Sequence, residues 1–243
     1  MAVRLVLRSF AAVVRRIIIE HLHRLITCCA LTYKRHDAIT HLRIYAMKAI
    51  AIASQKGGVG KTTLAGHLAV AAEAAGAGPV ALIDTDPQGS LAAWWNVREA
   101  ETPLFARATI RDLAPQLAQL DRRGVALVIV DTPPAITDNI RAVVAAADLV
   151  IVPTRPSPHD LRAVGATVDL IEAAGKRMLF VINGAAHRAR ITAEAAIALS
   201  QHGAVAPAII HQRTDFAASM VDGRTVGELA PSSRSAEEID ELW

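Results

Sequence analysis

The strongest chemical pattern in the chain lies in residues 51–63, which read AIASQKGGVGKTT. Glycine adopts backbone angles closed to other residues and lets main-chain amides approach a ligand, so Gly57, Gly58 and Gly60 indicate a tight loop. Successive amides at the start of a helix attract anions such as phosphate. The pattern therefore predicts a phosphate loop in which Lys61 supplies a positive charge and the Thr62 hydroxyl binds Mg²⁺.

Acidic residues follow two further apolar runs. Residues 82–90 read LIDTDPQGS and residues 125–134 read VALVIVDTPP. Asp84, Asp86 and Asp131 thus stand at the ends of predicted strands, and open α/β sheets bind their ligands at the carboxyl ends of strands. We expect these carboxylates to lie beside the phosphate loop.

Residues 56–63, KGGVGKTT, resemble the deviant Walker A motif of the ParA/MinD ATPases. The general phosphate-loop motif has a glycine where this chain has Gln55. In that family the extra lysine, here Lys56, reaches the phosphates of the nucleotide in the facing subunit. The resemblance therefore implies a homodimer with ATP sandwiched between its subunits, in which Lys56 acts in trans as an arginine finger does.

The resemblance also extends to the acidic segments and implies their roles. Asp86 would orient or activate the attacking water, Asp84 would support the metal shell or its loop, and Asp131 would hold Mg²⁺ beside Thr62. Two simpler interpretations are that Asp84 or Asp86 caps the next helix and that Asp131 forms a turn. The predicted catalytic residues are Lys56, Lys61 and Asp86, the predicted metal ligands are Thr62, Asp84 and Asp131, and the predicted nucleotide-binding residues are Lys56, Gly57, Gly58, Val59, Gly60, Lys61, Thr62, Thr63 and Asn183.

Two weaker site predictions concern the second half of the chain. Asn183 occupies the place where relatives use asparagine to read adenine, although a turn asparagine before glycine is an equal alternative. Residues 206–214 could form the other wall of the base pocket. Members of the family bind DNA non-specifically through basic residues, and the candidates here are Arg188, Arg190, Arg213 and Arg224; a solvated surface is the alternative for each.

From Met47 onward, apolar runs alternate with amphipathic segments, which predicts an α/β protein with a mostly parallel twisted sheet and helices on both faces, the P-loop NTPase fold. The predicted strands are 49–54, 80–84, 126–131, 149–153, 178–183 and 206–211. The predicted helices are 61–75, 91–98, 111–119, 138–147, 158–174, 192–202 and 236–242.

Residues 1–46 differ in composition from the rest. They contain eight basic and two acidic side chains, a net charge of +6, whereas the remaining 197 residues carry −3. A targeting peptide and a membrane-surface helix are alternatives, but a poorly ordered or non-native extension before an ATPase domain at 47–243 is favoured. The only cysteines, Cys28 and Cys29, lie in this extension, which excludes a thiolate metal site in the domain.

Within the family, the ending of the chain and its composition narrow the choice. The last nine residues, SAEEIDELW, are acidic, whereas a MinD-like membrane binder needs a basic amphipathic C-terminal helix. The chain stops soon after this helix begins, so a truncated C-terminus is also open. No run of about 18 apolar residues predicts a membrane span.

The expected function is a cytoplasmic ATPase switch, nucleoid-associated when bound to ATP, with ATP and Mg²⁺ as cofactors. It would bind DNA non-specifically and position plasmid, chromosome or protein cargo through a ParB-like or cargo-adaptor partner, without a membrane. The alternative is a MinD-like or metabolic P-loop ATPase that does not act on DNA.

Overall fold

A seven-stranded, all-parallel sheet organises the described part of the chain. The structure, a computed structural model, describes residues 46–134 and 138–243, so the prediction for residues 1–46 lies almost wholly outside it. The strands are β1 (Lys48–Ile52), β2 (Val80–Asp84), β3 (Leu104–Ala106), β4 (Leu127–Asp131), β5 (Leu149–Thr154), β6 (Arg177–Ala185) and β7 (Ala204–His211), in the order β3-β2-β4-β1-β5-β6-β7. The predicted α/β class and parallel sheet are confirmed.

The central strands are continuous apolar runs because both of their faces are covered. All five residues of β4 are buried, and the strand lies between β1 and β2. The sequence analysis did not predict β3. This strand has three residues, pairs only with β2 at the edge of the sheet, and is too short to show a periodic pattern.

Helices cover both faces of the sheet. They are α1 (Lys61–Ala74), α2 (Ser90–Asn96), α3 (Leu113–Arg122), α4 (Asp138–Ala146), α5 (Pro158–Ala173), α6 (Arg190–Ser200), α7 (Thr214–Ser219), α8 (Val226–Leu229) and α9 (Arg234–Leu242). The sequence analysis missed α7 and α8, because six and four residues cannot display an amphipathic stripe.

Two apolar layers result. One packs side chains of α3 to α6, such as Val143 and Ile171, against one face of the sheet. The other packs α1, α2 and the C-terminal helices against the opposite face, with Leu68, Trp94 and Phe216 among its members. In the described part of the chain, no helix has the length and apolar character needed to cross a membrane.

A buried histidine joins α1 to the C-terminal layer. Nδ1 of His67 lies 2.8 Å from the Thr63 carbonyl oxygen, and its Nε2 lies 3.2 Å from the Val226 amide nitrogen. Since a carbonyl only accepts and an amide N–H only donates, His67 is neutral and carries its proton on Nδ1. Burial lowers the pKa of His67 to about 4, although the Thr63 hydrogen bond and the charge of Glu228 oppose the shift.

We predict that His67 makes the fold acid-sensitive. Between pH 6.5 and about 4 the unfolded chain binds a proton at His67 that the folded chain does not. The free energy of unfolding should therefore fall as the pH falls through this window, by up to about 1.4 kcal/mol per pH unit from this group. Urea unfolding at several pH values should show a shallower slope for His67→Gln, and equal slopes for the variant and the unsubstituted protein would contradict the assignment.

Candidate functional site

The loop between β1 and α1 has the backbone shape of an anion cradle. Gly58 and Gly60 adopt positive φ angles of 71° and 90°, which other residues rarely tolerate. Gly60 is also crowded, since a Cβ there would collide with the side-chain amide of Asn183. Helix α1 begins directly after it, so the free amides of its first turn lie at the end of the loop.

Lys61 closes the loop from within. Its side chain is largely buried, and its Nζ donates to the Lys56 carbonyl oxygen at 3.2 Å. Burial lowers the pKa of Lys61, while the negative charges of Asp131 and Asp86 oppose the shift. A lysine ammonium group therefore lies beside the cradle, where the charges of two carboxylates act on it.

Thr62 and Asp131 are joined by a short hydrogen bond. The Thr62 hydroxyl donates to Oδ2 of Asp131 at 2.6 Å, and Asp131 is 1% exposed. Burial raises the pKa of Asp131 to about 7, and the charge of Asp84 adds to this, whereas the bonds from Thr62 and Thr132 and the charge of Lys61 oppose it. A buried carboxylate with a hydroxyl beside it is an oxygen donor set of the kind that Mg²⁺ prefers.

These two donors are too few to hold the cation alone. Within residues 46–134 and 138–243, no cluster of three or more His, Cys, Asp or Glu side chains could bind a metal ion. Mg²⁺ is usually held by one or two carboxylates together with the phosphates of a substrate. Thr62 and Asp131 therefore fit a cation that arrives with a phosphate ligand.

Asp84 organises the acidic loop after β2. Its Oδ1 accepts from the Asp86 amide at 2.9 Å and its Oδ2 accepts from the Ala92 amide at 3.0 Å, in the first turn of α2. Asp84 lies opposite Asp131 in the register of β2 and β4. The contacts match the loop-supporting and capping interpretations, and the assignment of Asp84 as a metal ligand stays a prediction.

A cleft of about 540 Å³ opens from the phosphate loop. Its lining includes Gly57, Gly58, Gly60, Lys61, Thr62 and Thr63, together with Asp86 and with Asn183, Ile210, His211, Gln212, Arg213, Phe216 and Met220. The volume is within the usual range for a small-molecule site. The strand ends thus bring the phosphate loop, Asp86 and the predicted base wall around one cavity.

Asn183 contacts the phosphate loop directly. Its Nδ2 donates to the Val59 carbonyl oxygen at 2.5 Å, so this end of β6 supports the loop. The amide nitrogen is thereby engaged, and the prediction that Asn183 reads adenine stays a prediction.

The sequence analysis did not single out Arg155, although this residue lines the cleft. Arg155 follows β5 and is exposed, close to Gly58 and Gly184. Phe216 and Met220 were missed as lining residues as well. A lone arginine between Thr154 and Pro156 has no motif around it, and only the order of the strands brings it to the loop.

Of the four predicted DNA-binding arginines, three are engaged in ion pairs. Arg213 pairs with Glu238 at 2.7 Å, Arg224 with Asp222 at 2.6 Å, and Arg190 with Glu194 at 3.0 Å. The Arg190 pair is highly exposed, at 93% and 57%, and such pairs are weak. Arg188 is exposed in the turn before α6, with a φ of 57°.

We predict that Gly60→Ala destabilises the protein. A non-glycine residue at positive φ costs about 1–3 kcal/mol, and the new methyl group would also displace the Asn183 amide. Chemical denaturation should show this loss in the free energy of unfolding. Gly165→Ala in α5 is the matched control, because open space surrounds its Cβ position and alanine favours a helix by about 0.5–1 kcal/mol. Equal stability of the two variants would rule out the constraint at Gly60.

Comparison with known proteins identifies a family. A family model described as the CobQ/CobB/MinD/ParA nucleotide binding domain matches residues 50–226. The chain is 40% identical over 148 residues to the maintenance of carboxysome distribution protein A of Gloeobacter kilaueensis, covering 60% of this chain and 62% of that protein. It is 30% identical over 203 residues to the protein of the same name from Halothiobacillus neapolitanus, covering 79% and 93%.

The fold has a counterpart among solved structures. The septum site-determining protein MinD of Pyrococcus horikoshii, complexed with Mg-ADP, superimposes with a TM-score of 0.69 at 18% identity, covering 81% of this chain and 94% of that chain. The family model spans the strand, loop and acidic segments that build the cleft. The chain therefore belongs to the ParA/MinD-type family of deviant Walker A P-loop ATPases.

Proposed function

We propose that this protein binds Mg-ATP in the cleft, dimerises around it, and uses the dimer to position a DNA or protein cargo. The observation that carries the proposal is the glycine-shaped cradle that opens onto the cleft, with Lys61 and the Thr62–Asp131 pair beside it. A triphosphate has the size and charge to match amides at a helix start, a buried lysine and a cation site.

Different residues would contact different parts of the nucleotide complex. The amides of the cradle and Lys61 would bind the phosphate oxygens, while Thr62 and Asp131 would hold the accompanying cation. When bound, Mg²⁺ neutralises charge that develops on the phosphate oxygens. Asp86 lines the cleft near Lys61 and would orient the attacking water, as the resemblance implies.

Lys56 is available to a second subunit. The residue is exposed, it is absent from the lining of its own cleft, and only its main-chain atoms form hydrogen bonds in the described part of the chain. A lysine whose ammonium group stands outside its own site can reach the phosphates of a facing subunit. ATP would then become part of the dimer interface, which makes dimerisation depend on nucleotide.

The cargo is proposed from the relatives. Two of them are named for the maintenance of carboxysome distribution, and the alignment spans 62% of the first and 93% of the second. We propose that this protein positions a protein assembly, a plasmid or a chromosome through a ParB-like or adaptor protein. The identity of the cargo would follow from the partner captured by the ATP-bound dimer.

The proposed function includes non-specific binding to DNA. Arg188 and Arg190 lie together at the start of α6, and the described residues offer them no partner beyond the exposed Glu194. Arg213 and Arg224 are less available, because Glu238 and Asp222 accept hydrogen bonds from their guanidinium groups. We therefore centre the proposed non-specific DNA contact, and with it the nucleoid association, on Arg188 and Arg190.

We predict that substitutions of the two lysines affect different steps: Lys61→Ala impairs nucleotide binding, whereas Lys56→Ala impairs dimerisation. Lys61→Ala should weaken the binding of a non-hydrolysable ATP analogue at least about tenfold, because it removes the cation beside the cradle. Lys56→Ala should bind the analogue to the monomer but form no nucleotide-dependent dimer. Calorimetry and light scattering on both variants measure these effects, and a Lys56→Ala protein that dimerises normally with the analogue would exclude the role in trans.

We predict that DNA binding depends on Arg188 and Arg190 and on salt. Alanine at both positions should weaken binding to random-sequence duplex DNA and reduce the slope of log K against log salt by about 0.9 per lost phosphate contact. Fluorescence anisotropy at several salt concentrations gives the slope. Arg111→Ala is the control, since Arg111 follows β3 at the opposite edge of the sheet. Binding by the double variant at full strength would favour the alternative function without DNA.

A further inference from the structure

A carboxylate of the C-terminal helix α9, that of Glu238, contacts two residues that line the cleft. Glu238 is 12% exposed at its side chain and accepts four hydrogen bonds from the end of β7. Its Oε2 accepts from the His211 amide at 3.0 Å, while its Oε1 lies 2.8 Å from Nδ1 of His211. The same Oε1 accepts from Nη2 of Arg213 at 2.7 Å and from its Nε at 3.2 Å.

The residues that Glu238 holds are cleft residues, but Glu238 is not. His211, Gln212 and Arg213 form part of the wall of the cleft, together with Phe216. The wall has other contacts as well: His211 pairs with Ala185 in the β6–β7 ladder, its ring lies 5.7 Å from the His187 ring, and the Gln212 amide donates to the Ala185 carbonyl oxygen at 2.9 Å. The Glu238 carboxylate, which lies outside the lining of the cleft, adds hydrogen bonds to two of the three consecutive wall residues, His211 and Arg213.

The contacts of Glu238 with His211 and Arg213 form a clamp that is electrostatically favourable. Burial pulls the pKa of Glu238 upward, yet the bonds from Arg213 and His211 outweigh burial and hold the pKa below its usual range. The Glu238 bond in turn raises the pKa of Arg213. Hydrogen bonds between charged partners are shorter and roughly twice as strong as neutral ones, so this clamp is well suited to hold a short segment in one geometry.

We infer that Glu238 is a positioning residue that sets how the cleft discriminates the base of its nucleotide. The inference rests on the proposed nucleotide function and assigns the base to the wall at 211–213. A site recognises a base edge by donors and acceptors held at fixed positions, and Gln212 can both donate and accept there. Glu238 acts only through that wall, whereas the phosphate loop binds the polyphosphate without it.

The test compares two carboxylates on the same helix. Glu238→Gln removes the charge that holds the wall, and Glu237→Gln removes the charge of an exposed neighbour that pairs only with Arg234 in the described residues. Calorimetry on the full chain with Mg²⁺ measures the affinities for a non-hydrolysable ATP analogue, the matching GTP analogue and inorganic tripolyphosphate. Glu238→Asp, which keeps the charge on a shorter side chain, serves as a second variant.

We expect Glu238→Gln to weaken binding of the ATP analogue about tenfold and to bring the affinities for the ATP and GTP analogues closer together. The affinity for tripolyphosphate should change less than about twofold. Glu237→Gln should match the unsubstituted protein for all three ligands. Unchanged base preference in folded Glu238→Gln or Glu238→Asp, or an equal loss for tripolyphosphate and nucleotide, would overturn the inference. If neither Glu238 variant folds, the residue is structural and the inference is also overturned.

The two hypotheses fail in different ways. If the unsubstituted protein binds neither nucleotide nor tripolyphosphate, the proposed function is wrong and the inference is overturned with it. If the unsubstituted protein binds the ATP analogue and the Glu238 variants keep its base preference, only the positioning role is wrong.

Discussion

The hydrogen bond between Thr62 and Asp131 is the contact on which the site depends. It joins the start of α1 to the end of β4, two segments that are 69 residues apart in the chain. Ile52, at the end of β1, lies opposite Asp131 in the register of the sheet, so the phosphate loop begins beside the strand that supplies the carboxylate. Because β1 lies between β4 and β5, the cradle is flanked by Asp131 on one side and Arg155 on the other.

The buried charges at this point partly balance each other. Burial favours the neutral forms of both Asp131 and Lys61, so it raises the pKa of the carboxyl and lowers that of the ammonium. Each is opposed by the charge of the other. Asp131 and Lys61 therefore act as partial counter-charges for each other next to the phosphate loop.

The C-terminal helices and their connections form polar contacts with α1 and with the end of α2. His67 ties α1 to the Val226 amide, and the buried guanidinium of Arg98, just after α2, forms a bidentate pair with Glu228. Trp94 of α2 donates to the Arg224 carbonyl oxygen at 3.2 Å. Helix α1, the end of α2 and residues 211–213 at the end of β7 are thus each held by polar contacts to residues 223–238.

The sequence alone determined the features that are local. The glycines, lysine and threonine of residues 57–62 are adjacent in the chain, and a strand–loop–helix unit fixes their relative geometry. Long apolar runs likewise identified six of the seven described strands and placed Asp84, Asp86 and Asp131 at their ends. The resemblance of residues 56–63 to one family added the proposed role of Lys56 in a facing subunit, which no spacing rule would supply.

Only the tertiary structure decided which distant residues meet. Asp84 could be a cap or a metal ligand from sequence, and its bonds to the Asp86 and Ala92 amides depend on where α2 starts. Arg155 and Glu238 carry no local signal, and the contact of Asn183 with Val59 was not predicted, because these contacts join segments that are close in space but far apart in the chain. The short elements β3, α7 and α8 were invisible for the related reason that packing, and not an internal period, stabilises them.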